Sequence, residues 1–178
     1  MKNCLITGYP GIGKTTMIEK ISGALMKYRP VGFFTREVRK GDRRTGFELR
    51  SFNGQSMLLS HINIESPYSI GKYKVDVVAF EQYLESFSIS ENRGNLVIID
   101  EVGKMECLSE KFIRLIKSLL DSDETVLLAS VALRGGGFIS RIKKRNDVMI
   151  YEMTLKNRGS LFQEILEDVE KVLYIADK

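Results

Sequence analysis

Cysteine, histidine and long apolar runs are scarce in this chain of 178 residues. Its two cysteines, Cys4 and Cys107, lie far apart without CxxC pairing, which argues against a disulfide framework or a cysteine-rich zinc site. A single histidine, His61, excludes any site that needs two, HExxH included. No apolar run approaches the ~18 residues of a membrane span, and the apolar stretch within Met1–Gly8 is too short for a signal peptide. Internal repeats, low-complexity tracts and linkers are also missing. Charge of one sign barely prevails: 27 Lys and Arg against 23 Asp and Glu leave +4, with a pI near 9.0. That surplus suits a phosphate-bearing ligand and is a weak basis for nucleic-acid binding. What is present, 43% hydrophobic and 28% charged residues, is the balance of a folded globular protein. The expectation is one domain over 1–178, cytoplasmic, reduced and without membrane contact; the oligomeric state stays open, with a monomer favoured.

Along the chain, Lys2–Thr7 is an apolar strand stopped by Gly8, and Lys14–Lys27 carries Met17, Ile18, Ile21 and Leu25 at helical spacing. An antiparallel insert of about three strands is expected over about 31–60. Val31–Arg39 is its first strand, Lys40–Gly46 a turn, and Phe47–Phe52 the second strand. Asn53-Gly54 then marks a hairpin into Met57–Leu59. His61–Lys72 reads as loop. Asp76 is placed to cap a helix bearing Val77, Val78, Phe80, Tyr83, Leu84 and Phe87. Strand Leu96–Ile99, a helix capped by Ser109, strand Thr125–Val131, a short helix at Phe138–Lys144, strand Val148–Met153 and a helix over Asn157–Tyr174 complete the chain. Apolar strands alternating with helices imply an α/β fold, a mainly parallel sheet covered on both faces.

Chemistry concentrates in two motifs. Gly8-Tyr9-Pro10-Gly11-Ile12-Gly13-Lys14-Thr15 matches GxxxxGK[ST] between a strand and a helix, as a phosphate-binding loop requires. The glycines let successive amide N–H groups turn toward phosphate oxygens, and the helix N-terminus adds positive charge. Lys14 would reach the β- and γ-phosphates and the Thr15 hydroxyl would hold Mg²⁺; Thr16 is counted with Gly8–Thr15 as a nucleotide contact. The second motif, Leu96-Val97-Ile98-Ile99-Asp100-Glu101, delivers carboxylates to the carboxyl edge of the sheet. There Asp100 would serve Mg²⁺ and Glu101 would orient and deprotonate the attacking water. Ser130, at the end of the next apolar strand, fits either a place near the γ-phosphate or an ordinary buried serine. Arg36, Arg39, Arg43, Arg44, Arg134, Arg141 and Arg145 are candidate cations for transferring phosphoryl charge, or solvated surface. Arg36, Glu37 and Arg39 follow a strand expected to neighbour the phosphate-loop strand. Lys104 and Glu106 fit either the site or a surface helix.

Gly32–Arg39 (GFFTREVR), Arg44-Thr45-Gly46-Phe47, Asp100–Glu106 (DEVGKME) and the late Asn157-Arg158 pair resemble the thermophilic nucleoside-triphosphatase family, whose relatives include the human cancer-related nucleoside triphosphatase. The resemblance runs from the first strand to the last helix. It implies a compact three-layer P-loop fold of the RecA-like division and slow, Mg²⁺-dependent hydrolysis of ATP, GTP, CTP and UTP. Nucleotide-binding segments then fall on Gly8–Thr15 and Leu96–Gly103, bringing in Val102 and Gly103, while Asn157 and Arg158 are candidates for base or sugar. Gly135-Gly136-Gly137 departs from the less glycine-rich, often His-containing loop expected there. A small P-loop kinase closing Arg134–Arg145 over an acceptor, and a nucleic-acid-binding module regulated by ATP, are the competing readings. No Asn/Thr-Lys-x-Asp segment for guanine occurs, so base selectivity is expected to be poor.

Overall fold

The structure, a computed structural model, describes residues 1–86 and 96–176. The chain runs β1 (Asn3–Gly8), α1 (Lys14–Ala24), β2 (Val31–Lys40), β3 (Arg43–Ser51), β4 (Ser56–His61), β5 (Ser69–Ile70), β6 (Tyr73–Val75) and α2 (Val77–Ser86). It continues with β7 (Leu96–Val102), α3 (Glu110–Asp121), β8 (Val126–Val131), α4 (Gly137–Ile142), β9 (Val148–Met153) and α5 (Leu161–Ala176). The nine strands among the described residues form one sheet in the order β5-β6-β4-β3-β2-β7-β8-β1-β9.

Two kinds of pairing meet at β2. It lies parallel to β7 through Val31–Phe34 and antiparallel to β3 through Phe33–Lys40. From β2 to β9 the pairs are parallel; from β2 outward to β5 they are antiparallel. The sheet is thus mixed, with its parallel half carrying the glycine-rich loop between β1 and α1.

Strand periodicity explains the layers. In β7, Val97 and Ile99 enter one core while Leu96 and Ile98 enter the other; in β8, Leu127 and Ala129 divide from Val126 and Leu128 in the same way. One core lies under α2, α3 and α4, and the other under α1 and α5. Burial on both faces is why these strands read as unbroken apolar runs. At the junction of the two halves, Phe33 packs edge-on to Phe80 with centroids 6.3 Å apart, and also meets Phe112 at 6.3 Å. Asp76 and Ser109 cap their helices as the sequence indicates, accepting from Ala79 and Phe112 N–H.

Several boundaries differ from the expectation. The first turn of the insert is two residues, Gly41-Asp42, because Arg43–Gly46 join β3 and point their charges to solvent. The antiparallel part extends past residue 60 to Val75, since β5 and β6 are too short to show a period. The neighbour of β2 is β7, and β1 lies two strands further in. Helix α1 stops at Ala24, ahead of a 3₁₀ turn at Met26–Tyr28, and α5 starts at Leu161, since Asn157–Ser160 form a hydrogen-bonded turn. Phe87, assigned to the second helix, lies outside the described residues.

Candidate functional site

The site forms at the carboxyl edge of the parallel half. After β1, Gly8 pairs with Met153 of β9 so closely that a Cβ there would meet the Met153 carbonyl at 2.6 Å. Gly13 caps α1 with φ 105°, a conformation open to glycine, and no side chain caps the helix. The first turn of α1 carries no acidic residue, so its amide N–H groups and dipole remain open to an anion. Tyr9, Pro10, Gly11 and Thr16 are exposed around the loop, while Ile12 anchors it against the α1–α5 core. Thr7 Oγ1, buried at the foot of the loop, has no hydrogen-bond partner among the described residues.

Lys14 is folded back over this cradle. It is buried, donates to Gly8 O at 3.3 Å, and lies 3.9 Å from Glu101 Oε2. Thr15 Oγ1 donates to Asp100 Oδ2 at 2.7 Å. Asp100 is fully buried at the end of β7, where Ser130 Oγ of β8 donates to its other oxygen and Thr35 Oγ1 of β2 to its carbonyl. Burial raises the Asp100 carboxyl above the ordinary range, against the Ser130 and Thr15 hydroxyls and Lys14. Burial likewise raises Glu101; Lys14 opposes the shift and Asp100 adds to it. The hydroxyl of Thr15 and the carboxylate of Asp100 are hard oxygen donors that suit Mg²⁺, which takes few protein ligands and completes its shell with water and phosphate. Among the described residues, no group of three or more His, Cys, Asp and Glu forms an all-protein metal cage.

Ser130 therefore stands between the two motif strands and touches the Asp100 carboxylate. Val102 is buried at the end of β7, and Gly103 is buried in the turn beyond it. The loop after β9 starts beside Gly8. There Asn157 Oδ1 accepts from Thr154 N at 2.7 Å and its Nδ2 donates to Glu152 O at 2.9 Å, so its amide is spent on loop shape. Arg158 is exposed on the same loop.

Of the arginines, Arg36 pairs with Glu19 of α1 at 2.7 Å, one helical turn beyond Thr15. Arg39 and Arg44 both bind Glu37 within the hairpin. Arg43, Arg134 and Arg141 are exposed. Arg145, already paired with Asp121 and Asp147, lines a cleft of about 720 Å³ at the opposite edge of the sheet, away from the Gly8–Thr15 loop. Glu106, which the sequence left between site and surface, is buried against the turn after β7. Thr35 carries no signal in the sequence because a threonine in a strand is ordinary; its hydroxyl meets the Asp100 carbonyl only once β2 lies beside β7, where Phe34 is the register partner of Asp100.

Residues 3–166 match the model of the NTPase family. The nucleoside-triphosphatase THEP1 of Thermotoga maritima is 41% identical, over 91% of this chain and 92% of its own. The human cancer-related nucleoside-triphosphatase is 35% identical, over 95% and 97%. The crystal structure of THEP1 from Aquifex aeolicus superposes with a TM-score of 0.85 at 32% identity, covering 94% of this chain and 99% of that one. A P-loop α/β fold, a glycine-rich strand–helix loop joined to a strand-end acid pair, and matches across nearly the whole length lead to one conclusion: this chain belongs to the NTPase family.

Proposed function

We propose that this chain is a nucleoside-triphosphate phosphohydrolase that cleaves the γ-phosphate of ATP, GTP, CTP and UTP with broad base tolerance. The observation that carries the reading is the convergence of Thr15 on Asp100 at 2.7 Å beside Lys14, itself 3.9 Å from Glu101. Loop amides and Lys14 hold the phosphate oxygens; with a triphosphate bound, Lys14 exchanges its contact with the Gly8 carbonyl for phosphate. Thr15 and Asp100 would hold Mg²⁺, which would supply charge neutralisation at the transferring phosphoryl group. Ser130 and Thr35 fix Asp100, so that carboxylate does not have to reorganise. Glu101, one third exposed at the strand end, accepts the proton of the attacking water. Broad base tolerance follows from the loop after β9. The Asn157 amide is already used, and a site without dedicated polar pairing discriminates weakly.

The test is phosphate release from the four triphosphates with and without Mg²⁺, in the presence and absence of nucleoside and nucleoside-monophosphate acceptors. The expected result is acceptor-independent, Mg²⁺-dependent release, with kcat/KM values within about two orders of magnitude of one another. Transfer to an acceptor in place of release would make the chain a kinase.

A further inference from the structure

Just past β7 the chain folds back on itself. Gly103 N–H donates to Glu106 Oε2 at 3.1 Å, and Cys107 N–H donates to Gly103 O at 3.1 Å. Both backbone polar groups of Gly103 are therefore held by the residues that follow. The turn draws Glu106 inward, to 5% exposure, although Lys104 beside it stays exposed. A Cβ added at Gly103 would lie 2.7 Å from Glu106 Oε2 and 3.1 Å from Glu101 Oε1. Two carboxyl groups thus border one small gap, open because residue 103 has no side chain. Burial, with Glu101 adding to it, pushes Glu106 up to about 8, so at neutral pH it is largely the uncharged acid. The turn is also tied to the rest of the fold: Ser60 Oγ of β4 donates to Met105 Sδ at 3.4 Å, and Ser109 Oγ donates to Glu81 of α2 at 2.7 Å.

We propose that Glu106 is a positioning residue for hydrolysis, acting through Glu101 by clamping the Gly103 N–H and walling the Glu101 carboxylate across the gap at residue 103. The inference rests on Glu101 being the group that activates water. Lys14 lies too far from Glu101 for a hydrogen bond and is taken up by phosphate during turnover. The wall formed by Gly103 and Glu106 is then what limits the rotamers of Glu101. Geometry of this kind matters, since a misplacement of about 1 Å can cost roughly 10²-fold in rate.

The experiment measures kcat, affinity for a non-hydrolysable ATP analogue, and thermal melting for Glu106→Ala, Glu106→Gln, Glu101→Gln and the Glu101→Gln/Glu106→Ala double variant. Glu106→Ala is expected to lower kcat about tenfold to a hundredfold while analogue affinity stays within about threefold. Glu106→Gln restores most of the rate, because its amide oxygen still accepts from Gly103 N–H. In the Glu101→Gln background the loss of Glu106 slows turnover no further, as expected of two residues acting as a unit. Full turnover in Glu106→Ala overturns the proposal, as does a parallel loss of analogue affinity. So does a Gln variant as slow as Ala, which would assign Glu106 a role through its proton. If Glu106→Ala does not fold, Gly103→Ala fills the same gap, and an unchanged kcat in that variant overturns the proposal. Glu101→Gln at the normal rate would remove the water-activating assignment itself; a slow Glu101→Gln beside a fast Glu106→Ala removes the positioning role alone.

Discussion

The two halves of the sheet handle charge in opposite ways. In the antiparallel half, Glu37 binds both Arg39 and Arg44, and Arg44 also stacks over Phe47 and bonds the Tyr73 hydroxyl. Donors and acceptors there are matched to each other on an exposed surface. In the parallel half, Lys14, Asp100, Glu101 and Glu106 are drawn together in or beside buried positions, and the three carboxyls are held above their ordinary pKa by desolvation. An abundance of arginine thus marks no site by itself. A small set of buried groups whose charges are incompletely matched does, because it gains most when an anion and a cation arrive together.

The largest effect that would test this contrast is at Lys14. Lys14→Ala should lower kcat/KM for ATP on the order of 10³-fold and weaken analogue binding with it, since a charge-assisted contact inside the cradle is lost. Retained affinity and turnover, read by phosphate release and analogue titration, would erase the distinction between the halves. Phe33→Ala, at the seam, should cost about 3–5 kcal/mol of stability in urea denaturation while the folded fraction keeps its kcat. A kinetic effect at equal folded fraction would mean that the seam transmits to the site.

Glu106 gives a pH test of the parallel half. Its folded pKa, about 8, lies above the ordinary 4.5, so the folded state binds more protons between those values. Stability without nucleotide should therefore fall as pH rises from the ordinary carboxylate range to about 8, then level off. Glu106→Gln should flatten that part of the denaturation profile; an unchanged slope would locate the proton uptake elsewhere. The smallest effect is expected in the other half. Glu37→Gln should change stability by less than about 1 kcal/mol and leave turnover alone, since the pairs it breaks are exposed. A marked loss of turnover would show that the hairpin belongs to the site after all.

Much of this was legible from residue order. The glycine spacing of Gly8–Thr15 and the four apolar residues before Asp100 are local patterns tied to one backbone path each, and both appear where expected. Ser109 and Asp76 signal their caps by type and position. The short strands β5 and β6 were not legible, because two or three residues cannot display a period. Glu106 was legible only as an open choice between the site and a surface helix, because its burial depends on the turn that Gly103 allows.

Residue order alone specifies a glycine-rich loop between a strand and a helix, an acid-ended strand and strands buried on both faces, since each follows from spacing along the chain. The folded sheet, in contrast, joins β2 to β7, lets Thr35 and Ser130 hold Asp100, and sets Glu106 across a glycine from Glu101. Those facts depend on strand order and on desolvation. Both arise from residues far apart in the chain that meet only when the sheet closes its two cores.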